Sequence, residues 1–81
     1  MKTEIDSKLS VYIAKEILKQ PDRIIDPHAA LISSGLIDSF SLIDLALYVE
    51  DEFGVHIDDS ELNSSTFDSI DQLSSLIQTR S

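Results

Sequence analysis

The sequence contains no cysteine and no long apolar run, and each absence excludes a class of protein. Without cysteine, the 81-residue chain has no disulfide framework, thiolate metal site or thiol nucleophile, so its fold depends on packing alone. No stretch approaches the roughly 18 apolar residues of a membrane span, and segment 1–10 lacks the apolar core of a secretory signal. We therefore expect a free-standing cytoplasmic protein that starts at its initiator Met1.

Basic residues are also scarce. Six Lys and Arg stand against 15 Asp and Glu, which gives a formal net charge of -9, and segment 38–61 contains no Lys or Arg. Phosphate backbones and anionic lipids repel such a chain, so we expect neither nucleic acid nor membrane partners. The length supports one domain, residues 1–81, that is too small for a deep catalytic cleft. We accordingly expect no catalytic residues.

Apolar periodicity predicts three helices. The first spans about residues 3–19 and ends before Pro21, because proline disfavours helix at the preceding residue. The second begins at Asp38-Ser39 and stops at Gly54, and the third is capped by Thr66 or Asp68. At 100 degrees per residue, one side of the second helix forms the predicted core stripe. That stripe consists of Leu42, Leu45, Ala46, Val49 and Phe53.

Irregular segments are predicted between these helices. Pro27, Gly35 and a serine pair keep residues 21–37 from forming a helix. A loop this long is either functional or held down by its own apolar residues. Those residues are Ile24, Ile25, Leu31 and Leu36. Residues 55–57 are expected to form an extended link, followed by a brief helical turn around Glu61 and Leu62.

Two motifs give the chain a family resemblance. The segment GLIDSF, residues 35–40, opens the second helix, and FGVHI begins at Phe53, fourteen residues after Ser39. Together with Asp44-Leu45 on the helix between them and Thr66 before the last helix, these motifs resemble the acyl carrier protein family. The resemblance extends from Ile5 to Ile77. It implies an all-α, four-helix bundle with three longer helices, one short helix and a long first loop.

The resemblance also implies a cofactor and partners. Ser39 would receive 4'-phosphopantetheine from coenzyme A through a phosphopantetheinyl transferase, and the thiol of that arm would carry an acyl or aminoacyl group as a thioester. Asp38 would cap the helix and engage the transferase with its metal ion. Further partners would be acyl or amino-acid ligases, synthases or transferases that load and use the cargo. The chain would be a monomeric substrate and shuttle, and not an enzyme.

On electrostatic grounds, we expect Ser39 to be an acceptor for a phosphate group and not a catalytic residue. A hydroxyl in the first turn of a helix can project into solvent, and a phosphodiester there gains about 0.3 to 1 kcal/mol from the helix dipole. The neighbouring Asp38 charge nearly cancels that gain, so Asp38 is not expected to bind the phosphate. On its own, an Asp-Ser pair is an ordinary helix cap.

The second helix is also predicted to present an apolar and acidic side away from the core. We call these residues the outer face of the helix: Phe40, Ile43, Asp44, Leu47, Glu50 and Asp51. Exposed apolar groups mixed with charges of one sign are typical of transient interfaces, so we expect basic partner enzymes to dock there. The alternative is that the long loop covers part of this face with Leu31 or Leu36.

Other functions are less well supported. A hydrolase triad would need a base from His28 or His56 beside Ser39, and no nucleophile-elbow glycines flank that serine. Asp58, Asp59 and Glu61 lack the spacing of a calcium loop, so no metal site is expected. The main alternative is an acidic helical adaptor without a covalent arm. A small esterase or transferase is a third and weaker possibility.

The motif departs from that of fatty-acid carriers in two ways. Phe40 replaces the usual leucine after the serine, and two residues, Leu36 and Ile37, separate the glycine from Asp38. This spacing looks more like D-alanyl carriers and other stand-alone aminoacyl or specialised-metabolite carriers. The missing Gly-Gly before Asp38 distances the chain from modular peptidyl carrier domains. The cargo and the pathway remain open.

Overall fold

The computed structural model describes residues 2–80, with side chains from residue 4 onward. Helix α1 spans Lys2–Tyr12 and continues as a π-helical turn over Ile13–Ile17. Ile5, Leu9 and Ile13 recur every fourth residue on one side and are all buried, which is why this segment is held as a helix. The chain leaves the helix through Lys19, whose φ of 56° is left-handed, and reaches Pro21. The predicted first helix is confirmed.

Helix α2 spans Ser39–Phe53 and ends at Gly54, whose φ of 69° is the left-handed conformation that glycine adopts without strain. Leu42, Leu45 and Val49 are buried, as the periodicity predicted. Ala46 and Phe53, which were also predicted for the core stripe, are only partly buried. The ring of Phe53 lies edge-on to Tyr48, with the two centroids 6.1 Å apart.

Helix α3 spans Ile70–Arg80 and buries Ile70, Leu73 and Ile77. The prediction that Thr66 or Asp68 caps this helix was wrong. The cap is Ser69, whose Oγ accepts a hydrogen bond from the amide of Gln72 at 3.2 Å. Thr66 instead donates its hydroxyl to Asn63, while the carboxylate of Asp68 turns to the first loop.

A 3-10 turn, Asp59–Glu61, is the short fourth helical element, and Asp58 and Glu61 form a capping box at its start. It follows a non-helical link in which Val55 and Ile57 are buried on either side of exposed His56. Over residues 2–80 the fold is therefore all-helical, with three helices and one short turn, as predicted.

The first loop packs onto the core. Ile25, Leu31 and Ile37 are buried and Leu36 is partly buried, whereas Ile24 is 92% exposed and was wrongly expected to help hold the loop down. Phe67, just before α3, is one of the largest fully buried side chains. The loop is thus part of the folded domain, and it ends at the start of α2.

Candidate functional site

The start of α2 is fixed by its own cap. Asp38 has an extended backbone, with φ -86° and ψ 175°, and its Oδ1 accepts a hydrogen bond from the amide of Ser41 at 2.7 Å. Hydrogen bonds from the backbone and then the side chain of Ser41 hold the pKa of the Asp38 carboxyl below its ordinary value. Asp38 is therefore an ionised helix cap whose carboxylate is directed at Ser41.

Ser39 is the first residue of α2 and is exposed. Its hydroxyl has no hydrogen-bond partner among the backbone of residues 2–80 and the side chains of residues 4–80. Of the two histidines, the His56 ring pairs with Glu50, and the backbone amide of His28 donates to the Asp26 carboxylate. No base is thus aligned with Ser39 in the described part of the chain. The geometry leaves the oxygen open to an external reagent, and does not resemble a triad.

The outer face of α2 is exposed. Phe40 has 82% of its surface accessible, Leu47 60% and Ile43 47%, although all three are large and apolar. Leu31 is fully buried in the core and Leu36 packs against it, and all three side chains of the face remain at least 47% exposed. The alternative in which the loop covers the face is therefore not what the structure shows. The three predicted apolar residues lie on one continuous side of the helix that is open to solvent.

The acidic residues of the same face differ in their pairing. Asp44, Glu50 and Asp51 are all exposed, and Glu50 lies 3.2 Å from the ring of His56. Among the side chains that the structure describes, the Lys and Arg salt bridges join Lys8 to Glu52 and Arg80 to Glu61, and none reaches Asp44 or Asp51. The negative charge of the outer face is therefore left largely uncompensated.

Two tyrosines border this face and were not predicted from the sequence. The rings of Tyr12 and Tyr48 are stacked, with their centroids 4.0 Å apart, and the Tyr12 hydroxyl donates to the backbone carbonyl of Asp44 at 3.3 Å. Partial burial raises the pKa of Tyr12, and the charge of Asp44 adds to that shift. An open cavity beside these rings is also lined by Leu47 and Asp51. The pairing joins α1 to α2, so local periodicity carries no signal for it.

The loop before α2 is anchored by a carboxylate from the other end of the chain. Asp68 Oδ1 accepts hydrogen bonds from the amides of Ile32 at 2.7 Å and Ser33 at 2.9 Å, while Oδ2 accepts the Ser33 hydroxyl at 2.5 Å. These hydrogen bonds, above all those from Ser33, lower the pKa of Asp68. Sequence reasoning assigned this residue to a helix cap and missed the contact.

Within residues 2–80, no group of three or more His, Asp or Glu side chains is placed to hold a metal ion. None of the helices in the same range is long and apolar enough to cross a membrane. The acidic turn at Asp58–Glu61 instead forms a capping box, and its Glu61 forms an ion pair with Arg80.

Comparison with known proteins shows a family match. The family model described as "Phosphopantetheine attachment site" matches residues 11–77, which is most of the chain and includes all of α2. No curated protein and no solved structure matches the chain.

Proposed function

Since this chain belongs to the phosphopantetheine attachment family of carrier domains, we propose that Ser39 bears its 4'-phosphopantetheine group. The family fixes the prosthetic group and the role of the domain as a carrier that does not itself catalyse a reaction. The observation that carries the assignment is the exposed Ser39 hydroxyl at the first position of α2, which has no hydrogen-bond partner among the side chains of residues 4–80.

The residues around Ser39 fit a covalently attached phosphate. Because the Asp38 carboxylate accepts the Ser41 amide, it is turned along the helix and leaves the Ser39 oxygen accessible. The helix N-terminus favours the new negative charge, while the ionised Asp38 opposes it. Because these two electrostatic effects oppose each other, the group is held by its covalent bond to Ser39. On modification, the Ser39 oxygen bonds to phosphorus, its proton leaves, and the adenosine bisphosphate part of coenzyme A departs.

When bound, the group supplies a thiol that carries cargo as a thioester. We propose that the cargo is an acyl or aminoacyl group passed between partner enzymes. The Gly-x-x-Asp-Ser spacing at residues 35–39 and Phe40 after the serine favour a stand-alone aminoacyl or specialised-metabolite carrier over a fatty-acid carrier. The role of this chain is to present Ser39 on a stable helix end and to dock each enzyme in turn.

The outer face of α2 is the proposed docking surface. Phe40, Ile43 and Leu47 expose apolar area there. They are flanked by Asp44 and Asp51, which form no salt bridge with the side chains of residues 4–80. A complementary enzyme surface would combine an apolar centre with Lys or Arg, since matched charges accelerate encounter. The transferase and the enzymes that load and use the cargo would share this surface. Glu50 completes its acidic edge.

Intact-protein mass spectrometry tests the attachment site. With coenzyme A and a broad-specificity phosphopantetheinyl transferase, the wild type should gain one phosphopantetheine unit and Ser39→Ala should gain none. Ser75→Ala, which removes another exposed helical serine, is the matched control and should be modified normally. Modification of the Ser39→Ala variant would refute the assignment. A wild type that several such transferases leave unmodified would favour the adaptor without a covalent arm.

A further inference from the structure

The first loop approaches α2 as a compact turn whose base is tied to the start of α3. Besides the three bonds to its carboxylate, Asp68 accepts the amide of Leu31 on its backbone carbonyl at 2.6 Å. Three consecutive residues of the loop, 31 to 33, therefore bind one residue some 35 positions later. We call this group of four hydrogen bonds the Asp68 anchor.

A chain of contacts connects the Asp68 anchor to Ser39. The amide of Ile37 donates to the carbonyl of Leu31 at 3.0 Å, which closes the turn between residues 31 and 37. Leu31 and Ile37 are 0% and 2% exposed, so both ends of the turn are also held in the core. Ile37 is followed directly by Asp38 and Ser39. Fixing Leu31 thus fixes the point from which the chain enters α2.

Asp68 is itself held rigidly. Its amide donates to the side chain of Gln72 at 2.6 Å, and the next residue, Ser69, caps α3. A carboxylate so placed accepts hydrogen bonds from several donors at once, and charge-assisted bonds of this kind are stronger than neutral ones. The Asp68 anchor is therefore fixed at the start of α3, and the segment that it orders is the first loop.

We propose that Asp68 is a positioning residue for the modification of Ser39: it keeps the turn 31–37 ordered so that the transferase meets the loop and the start of α2 in their binding-competent arrangement. This inference rests on the proposed attachment at Ser39. When only a fraction of a protein is binding-competent, its apparent affinity falls by that fraction. Because the bound complex is unchanged, loss of the anchor should raise the KM for the carrier and leave kcat unaltered.

The test uses transferase kinetics with coenzyme A at varied carrier concentration. For Asp68→Ala, which removes the side-chain bonds, we expect KM to rise about tenfold and kcat to stay within about twofold. Asp68→Asn keeps a neutral acceptor for the two amides, and Ser33→Ala removes only the hydroxyl bond, so each should raise KM about threefold. Asp22→Ala removes a charge from the same loop outside the anchor and should keep the wild-type KM.

A second measurement is independent of modification. Amide hydrogen exchange should become faster at Ile32, Ser33 and Ile37 in the Asp68 variants and stay unchanged in the middle of α2. Urea melts give the folded fraction of each variant under assay conditions. If Asp68→Ala does not fold, Asp68→Asn and Ser33→Ala decide the question in the same two measurements.

Four results would overturn the proposal. Wild-type KM despite faster exchange would show that loop order does not matter to the transferase, and unchanged exchange would show that the anchor does not order the loop. A fall in kcat without a rise in KM, or an equal rise of KM in Asp22→Ala, would indicate another cause. A wild type that is not modified at all contradicts the Ser39 assignment instead, and the exchange data alone then report on the anchor.

Discussion

Leu45 and Leu47 offer a matched pair for separating the folding role of α2 from its proposed docking role. The two leucines are two positions apart on one helix, so their side chains differ by about 200 degrees in direction. Leu45 is 1% exposed in the core, whereas Leu47 is 60% exposed on the outer face. The same substitution, leucine to alanine, should therefore lower stability at Leu45 and lower docking at Leu47.

The magnitudes follow from burial. A fully buried leucine replaced by alanine costs about 2 to 5 kcal/mol, because both transfer energy and packing are lost. A domain of this length has a free energy of unfolding of about 4 to 12 kcal/mol, so Leu45→Ala removes a large share of it. Leu47→Ala gives up less than half of a leucine's burial, and alanine is a slightly better helix former, so its cost should stay below about 1 kcal/mol.

Urea melts followed by circular dichroism measure the first effect, and transferase kinetics measure the second. Leu47→Ala should lower kcat/KM for the carrier about two- to fivefold, and Leu45→Ala should not, as long as it stays folded. Equal losses of stability would mean that α2 is rotated from the orientation described. A Leu47→Ala variant that is modified at the wild-type rate would remove this residue from the docking surface.

Two further predictions concern charge. Modification of the wild type should slow as salt rises, because salt screens interactions between exposed charges beyond about 10 Å at 0.1 M. The double variant Asp44→Lys with Asp51→Lys should flatten this salt dependence and keep its helicity. The control variant Asp59→Lys should not flatten it. Hydrogen bonds from Arg80 depress the pKa of Glu61 to about 2, from an ordinary value of 4.5, so this pair stabilises the fold above pH 4.5 and its contribution is lost as pH falls toward 2. Urea melts between pH 7 and 2 should show a smaller loss over that window in Arg80→Ala; equal losses in both proteins would contradict the linkage.

The phase of α2 was predictable because helical periodicity is a local signal. Leu42 and Val49 are buried while Phe40 and Leu47 are exposed, as their positions on one helical wheel predicted. Phe53 was predicted less well because it lies in the last turn, where fewer elements remain to cover it. The helix cap at Asp38 was also predicted, since capping depends on residues three positions apart.

The loop could not be predicted in the same detail. Ile24 and Ile25 are adjacent and equally apolar, yet one is 92% exposed and the other 6%. An irregular segment has no period from which to assign sides, so nothing local distinguishes the two. Asp68 was missed for a related reason: its partners lie 35 and 36 residues away, and an Asp before a helix is a common cap. The long-range geometry became visible only in the folded chain.

The few basic side chains indicate why the outer face of α2 stays acidic. Lys8 pairs with Glu52 and Arg80 with Glu61, and both contacts lie on sides of the helices other than the outer face. Exposed ion pairs of this kind contribute little to stability, so the fold does not depend on the positions of the Lys8 and Arg80 charges. Asp44 and Asp51 form no salt bridge with the side chains of residues 4–80, so their charges add repulsion without stabilising the fold, as expected of charges that contact a partner protein.

The arrangement of Ser39 and its surroundings depends both on a local sequence motif and on a residue far along the chain. The residues of the proposed attachment site, Asp38 and Ser39, form a local motif that lies within residues 11–77, the segment matched by the family model. The order of the turn before them depends on Asp68, which lies far along the chain and does not belong to that motif. A related chain with an intact Asp-Ser start but no acceptor at the position of Asp68 would still match the family and fold. We expect its serine to be modified only at higher carrier concentration, because its loop would have to be ordered during binding.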